Sequence, residues 1–360
     1  MIDLFGKSWT RDELLDRVGD MDQLAGARVG ETVNGHERGA GFIDMWNASG
    51  LRLTVLPGRC LDIAHAHYNG IPLCYRSSQG DVGPAFYEPQ QYGWLRSWCG
   101  GLLTTCGLTF VGHPETDEEE EGIELGLHGR ISSAPAQNVV TSADWEDDTY
   151  IVRVQGTMRE AVIFGTNLKL KREIRMRLGE KSFTIDDRVE NRSRTVTSPL
   201  MVVYHTNPSF PLLAEGTRLA MTSQRSVEWL EGREVQPDQY QVAGPPTNRS
   251  HDDVYIHDPN ADEQGMVNVA LINDQLAGGL GLYWRYPKTD LPVLNQWQHF
   301  EAGAYVTGIE PGNCNVLGRD RNRVDGTLEH IAPGEVRRFR LEMGVLEGSE
   351  EIEAFEGRTR

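Results

Sequence analysis

Four short segments place polar side chains at the ends of apolar runs, where core formation alone gives no reason for them. The segment Leu56-Pro57-Gly58-Arg59-Cys60-Leu61-Asp62-Ile63 sets an arginine and an aspartate beside a strongly apolar stretch. Arg59 can present its planar fork of donors to ligand hydroxyls or a carboxylate, or it can close a turn through an ion pair with Asp62. In Leu127-His128-Gly129-Arg130 an imidazole precedes a glycine that lets a ligand approach the backbone closely. The run Pro199-Leu200-Met201-Val202-Val203-Tyr204 leads straight into His205-Thr206-Asn207-Pro208, a position that suits a general acid or base or a histidine satisfied by the following turn. Glu310 closes the apolar stretch before Pro311-Gly312, where partial burial would raise its pKa and make it an effective base. Trp297, in Leu294-Asn295-Gln296-Trp297, offers either a stacking face or core bulk.

Metal and thiol chemistry find less support. His65 and His67 share a strand face, but no third ligand stands near them in sequence. Cys60, Cys74, Cys99, Cys106 and Cys314 are odd in number, lack a CxxC pair and read as buried thiols. The expectation is no metal and no redox cofactor.

The elements that must carry these residues read as strands. Leu51, Leu53 and Val55 alternate with Arg52 and Thr54, and Leu168, Leu170, Ile174, Met176 and Leu178 alternate with Lys169, Lys171, Glu173, Arg175 and Arg177. Similar runs span 151–154, 183–189, 196–204, 267–271, 280–284 and 336–345, separated by Gly, Pro and Asn. One helix is expected near the start, within an N-terminal extension of about 8–20, because Thr10 and Glu13 have capping-box spacing. Glu115 to Glu124 holds seven carboxylates and reads as a solvated loop; the four prolines of Gln236 to Pro259 predict an irregular surface segment. The fold class is all-β, a large antiparallel β-sandwich with a few short helices, forming one domain over 1–360.

With 35 Lys plus Arg against 53 Asp plus Glu, the chain of 360 residues carries a net charge of -18, which argues against nucleic acid as a partner. No apolar run approaches membrane-spanning length and the start lacks a secretory pattern, so no membrane partner and a cytoplasmic location are expected. The oligomeric state is open.

Taken together, the Arg59–Asp62, His128–Arg130 and His205–Asn207 segments resemble those of the aldose 1-epimerase (galactose mutarotase-like) superfamily, over about Gly41 to Val345. That resemblance implies a supersandwich with a sugar site in a cleft on one sheet. It implies His205 as general acid on the ring oxygen, Glu310 as base on the anomeric hydroxyl, and His128 near the ring oxygen. Arg59, Asp62, Arg130, Asn207 and Trp297 are then expected to bind a small-molecule sugar. Cys99 stands before Gly100-Gly101 where sugar-phosphate relatives tend to carry arginine, which points away from phosphorylated sugars. The implied reaction is interconversion of α and β anomers by ring opening and reclosure, with His205 protonated and Glu310 ionised near neutrality. Alternatives are a carbohydrate-binding or sensing protein on the same fold, and a glycosidase or lyase using Glu301 and Glu310.

Overall fold

The computed structural model describes residues 1–120, 122–230, 232–235 and 240–359. Two large antiparallel sheets face each other, one of thirteen strands and one of eight. The eight-stranded sheet is built around the long strands Thr149–Ala161, Asn167–Arg177, Ser182–Asn191 and Val336–Glu347, and the larger sheet carries Leu51–Leu56, Asp62–Tyr68, Leu103–Leu108, Ser198–Thr206, Val293–Glu301 and Ala304–Gly312. The period-two alternation predicted for 168–178 is exact in the burial of Asn167–Arg177, whose even-numbered positions are buried and whose odd-numbered ones reach water. The inner faces meet through Leu53, Ile63, Tyr204 and Ile309 on one side and Val154, Ile174, Ile185 and Leu341 on the other. Each such side chain contributes roughly 1.5–3 kcal/mol on burial. All five cysteines are free and buried. This is the large antiparallel β-sandwich that the alternation predicts.

One position departs from the apolar pattern of that inner face. Arg172 is fully buried between the sheets, forking onto Asp187 (2.9 and 2.6 Å) and reaching Asp62 Oδ1 at 2.9 Å and the Cys60 carbonyl at 3.1 Å. Tyr204 donates to Asp187 at 2.7 Å, and Asp62 accepts from Thr105 N and Oγ1 at 3.0 and 2.6 Å. Burial pushes the Asp62 carboxyl up, opposed by Arg172 and Thr105. Removing one member would leave a buried charge unpaired, the situation that makes such networks sensitive to single substitutions. Asp62 therefore serves the framework. It neither pairs with Arg59 nor faces a ligand, as the sequence had suggested, because Arg172 arrives from the opposite sheet.

The N-terminal helix spans Arg11–Leu15, with both reciprocal bonds of the Thr10/Glu13 capping box formed. It is shorter than the expected extension because residues 2–4 and 7–9 form a small hairpin before it. The acidic stretch is also more structured than a solvated loop. Glu115–Asp117 pairs with Ile123–Leu125, and the fully buried Asp117 binds Arg319 and Arg323 at 2.8 and 2.7 Å. Of the segment predicted to be irregular, Asp253–Pro259 is a strand, and 236–239 lie outside the described residues.

Candidate functional site

The site begins with a strand register. Ser198–Thr206 and Ala304–Gly312 pair so that Val203 opposes Gly312 and Thr206 opposes Ile309, which sets His205 directly across from Glu310. Alternation turns both side chains to the outer face of the larger sheet, away from Tyr204 and Ile309 in the core. On that face Thr104 stands opposite His205, while Asn295 opposes Glu310 and Trp297 opposes Gly308. Gly308 is what makes room for the carboxylate, since a Cβ there would lie 2.0 Å from Glu310 Oε1.

His205 Nε2 and Glu310 Oε1 are 3.3 Å apart. Their alignment is too poor for a hydrogen bond, and His205 Nδ1 and Glu310 Oε1 have no hydrogen-bond partner among the described residues. Only 5% of His205 and 1% of Glu310 is exposed. Buried polar atoms are nearly always satisfied, so orphans on two facing titratable groups mark a place built for something else to bond. Burial lowers the His205 pKa to about 4, against the opposing effect of the Asn207 side chain and the residue's own carbonyl, and raises that of Glu310 to about 8. The expected imidazolium and carboxylate are thus reversed. Desolvation disfavours both charges, leaving a neutral imidazole beside a protonated carboxyl.

Aromatic walls surround the pair. The rings of Trp98, Trp297 and His128 lie 6.0, 5.7 and 5.6 Å from that of His205, and Trp94 stacks on Trp98 at 5.4 Å. Side-chain bonds fix the three indoles: Trp94 to Ser132 Oγ at 3.0 Å, Trp98 to Thr104 Oγ1 at 3.2 Å, and Trp297 to Asp252 Oδ1 at 2.8 Å. His128 is half-buried, with φ of 55°, and its Nδ1 is another unpartnered buried atom. Its pKa lies well below the usual value through burial first and then repulsion from His205 and His113. The following Gly129 packs so tightly that a Cβ would come 2.5 Å from the Phe110 carbonyl, which explains the His-Gly pair.

The remaining expected residues divide. Trp297 and Asn207 join the pair; Asn207 donates to the carbonyls of Gly101 (3.0 Å) and His205 (3.2 Å) and leaves its own oxygen unpartnered. Arg130 is exposed, and its side chain makes no hydrogen bond or ion pair among the described residues. Arg59 is buried and gives Nε to the Ser132 carbonyl at 3.0 Å and Nη1 to those of Val82 and Ser97 at 3.3 and 2.6 Å. It ties together three loop segments, two of which adjoin Trp98 and His128. This geometry casts Arg59 as a buttress rather than a ligand contact.

Glu301 opposes Ala304, whereas Glu310 sits six positions further along that strand, about 20 Å at strand rise. Paired glycosidase carboxylates lie within about 5–9.5 Å, so the two cannot act together. His65 Nε2 contacts Asp81 Oδ2 at 3.2 Å, and among the described residues no three His, Cys, Asp or Glu side chains cluster to hold a metal ion. Sequence reasoning missed Trp94, Trp98 and Gly308. Only Gly308 carried a usable signal, since a glycine inside a strand marks a close approach.

A family model described as a domain of unknown function, DUF4432, matches residues 37–345. No curated protein matches the chain in sequence. Among solved structures, a candidate aldose 1-epimerase from Klebsiella pneumoniae superposes with a TM-score of 0.85 at 24% identity, covering 94% of this chain and 89% of that one. A galactose mutarotase-like protein from Clostridium acetobutylicum gives 0.60 at 12% identity, covering 89% of this chain and 99% of that one. A galactose 1-epimerase from Lactobacillus acidophilus gives 0.58 at 13%, covering 90% and 99% respectively. At these identities the likeness is one of fold.

Proposed function

The chain belongs to the DUF4432 family, and from that premise, its fold and its buried acid-base pair we propose that it is an aldose 1-epimerase, interconverting the anomers of a free sugar. The observation that carries this reading is the cross-strand opposition of His205 and Glu310, 3.3 Å apart, each with an unpartnered polar atom. A cyclic hemiacetal bears two oxygens on one carbon, the ring oxygen and the anomeric hydroxyl. Opening the ring requires a proton delivered to the first and one removed from the second. Two adjacent titratable groups facing one point can serve both oxygens at once, each contributing roughly 10²–10⁴-fold.

The reversed protonation fits this cycle. From pH about 4 to about 8 the pair holds one proton, the number the reaction needs, and holds it on Glu310. In that state neutral His205 accepts the proton of the open chain's ring-forming hydroxyl while Glu310 donates to the aldehyde oxygen. That step is ring closure, and it leaves imidazolium and carboxylate, the arrangement that opens a ring. Rotation about the C1–C2 bond between opening and closure exchanges the faces. The indoles of Trp98 and Trp297 offer apolar surfaces for the C–H faces of the sugar, and Asn207 Oδ1 and His128 Nδ1 remain free to accept hydroxyl protons.

The test is magnetisation-transfer NMR on a panel of free aldoses. Exchange between anomers accelerated in proportion to protein concentration is the expected result. Ligand-induced shifts without accelerated exchange across the whole panel would make the chain a carbohydrate-binding protein instead.

A further inference from the structure

The hairpin joining Thr149–Ala161 to Asn167–Arg177 ends in Val162, Ile163 and Phe164, exposed by 68%, 81% and 101%. Three consecutive large apolar side chains in water gain nothing for the fold, since a turn needs only small or polar residues. Just behind the tip, on the outer face of the eight-stranded sheet, Arg159 stands opposite Lys169 and Lys171 opposite Arg188. None of these four cations makes a hydrogen bond or ion pair among the described residues. Arg188 has another arginine, Arg338, on its other flank, though Arg338 forks onto Asp186, and Lys169 has Glu190 on its other flank. Like charges directly opposite each other destabilise a sheet, so this face is built at a cost in a chain whose net charge is -18.

The complementary surface lies on the same chain. The acidic hairpin exposes Glu118 and Glu124, which make no ion pair among the described residues, beside Ile123, 49% exposed. It is fastened close to the basic hairpin: Glu160 accepts from Leu108 N at 2.9 Å, and Arg319 joins the Thr109 carbonyl (2.8 Å) to Asp117 (2.8 Å). A cationic patch with an apolar tip and an anionic patch with an apolar residue, side by side on one copy, are what a twofold contact requires. Each patch of one copy then meets the opposite patch of its partner, and the assembly closes.

We propose that the Val162–Phe164 hairpin and its cations Arg159, Lys169, Lys171 and Arg188 form a self-association surface that receives Glu118, Ile123 and Glu124 of a second copy of this chain. The full-length protein sediments as a dimer at low ionic strength and dissociates progressively with added salt. The double variants Arg159→Glu/Lys171→Glu and Glu118→Lys/Glu124→Lys each associate at least ~10²-fold more weakly, because like charges now face each other. An equimolar mixture of the two variants restores the dimer, since one contact keeps both native patches and the other has both reversed. All four positions are at the surface, and unchanged circular dichroism and melting confirm that the variants fold. Phe164→Ser weakens the wild-type dimer without altering its salt dependence. A monomer at the highest soluble concentration, dimers that survive both double variants, or a mixture that stays monomeric would each overturn the proposal. So would Phe164-dependent sedimentation of a monomer with anionic phospholipid vesicles, which would assign the hairpin to a membrane surface.

Discussion

Glu310 and His205 should write a recognisable signature into the stability of the protein as pH is varied. Glu310 has its folded pKa raised from 4.5 to about 8, so folding retains a proton that the unfolded chain releases. The associated stability is complete below pH 4.5 and is lost as pH rises toward 8, amounting to about 5 kcal/mol at about 1.4 kcal/mol per pH step. His205 has its folded pKa lowered from 6.5 to about 4, so its stability is present above 6.5 and is lost as pH falls toward 4, about 3 kcal/mol in total. Between 4.5 and 6.5 the two slopes cancel. Between 6.5 and 8 only Glu310 acts, and the wild type loses about 2 kcal/mol. Urea unfolding at stepped pH measures this, and the difference between Glu310→Gln and wild type removes the background of other titrating groups. That difference should grow from pH 4.5, favouring the variant, and level off beyond 8. If the folded pair instead held no proton across this window, the difference would be flat, and the proton retained on folding would be refuted.

Four further outcomes follow from the geometry. His205→Asn and Glu310→Gln should each slow anomer exchange by at least ~10²-fold with folding intact, and wild-type exchange in either would remove that residue from the chemistry. Gly308→Ala should fold, because the added methyl meets only the end of the Glu310 side chain, yet displacement of that carboxyl should cost ~10²-fold in kcat; an unchanged rate would show the carboxyl position to be unimportant. Arg59→Met orphans three buried carbonyls and should destabilise by at least ~3 kcal/mol, measured by chemical denaturation. A stable Arg59→Met protein with a raised KM would restore the arginine to the ligand. Trp297→Ala should raise KM more than it lowers kcat, since the ring is a wall and carries no proton; the reverse pattern would contradict its assignment as a binding surface.

The strands were legible because burial of one face forces period two, whereas Arg172, at a core-facing position of that same pattern, went unread until the structure showed it between the sheets. His205 and Glu310 were legible for the same reason, as polar residues ending apolar strands. Arg59 and Asp62 gave the identical signal for a different cause. Whether a buried donor meets a ligand or a carbonyl depends on where residues 82, 97 and 132 travel, and loop paths leave no periodic trace. Trp94 and Trp98 were hidden likewise, since they reach the site from a loop whose course is set by contacts distant in sequence. The protonation of the pair depends on desolvation, which is a property of the assembled pocket rather than of either residue.

Because His205 and Glu310 are held by adjacent backbone ladders while Trp94, Trp98 and His128 arrive on loops, the proposed chemistry and the choice of ligand can change independently. Substitutions in residues 82–100 or 126–133 can reshape the walls while the distance between His205 and Glu310 stays fixed by strand pairing. Under selection for a new sugar, mutations should therefore collect in those loops and leave the two strands untouched. A library confined to them would explore specificity while leaving the proposed acid-base pair in place.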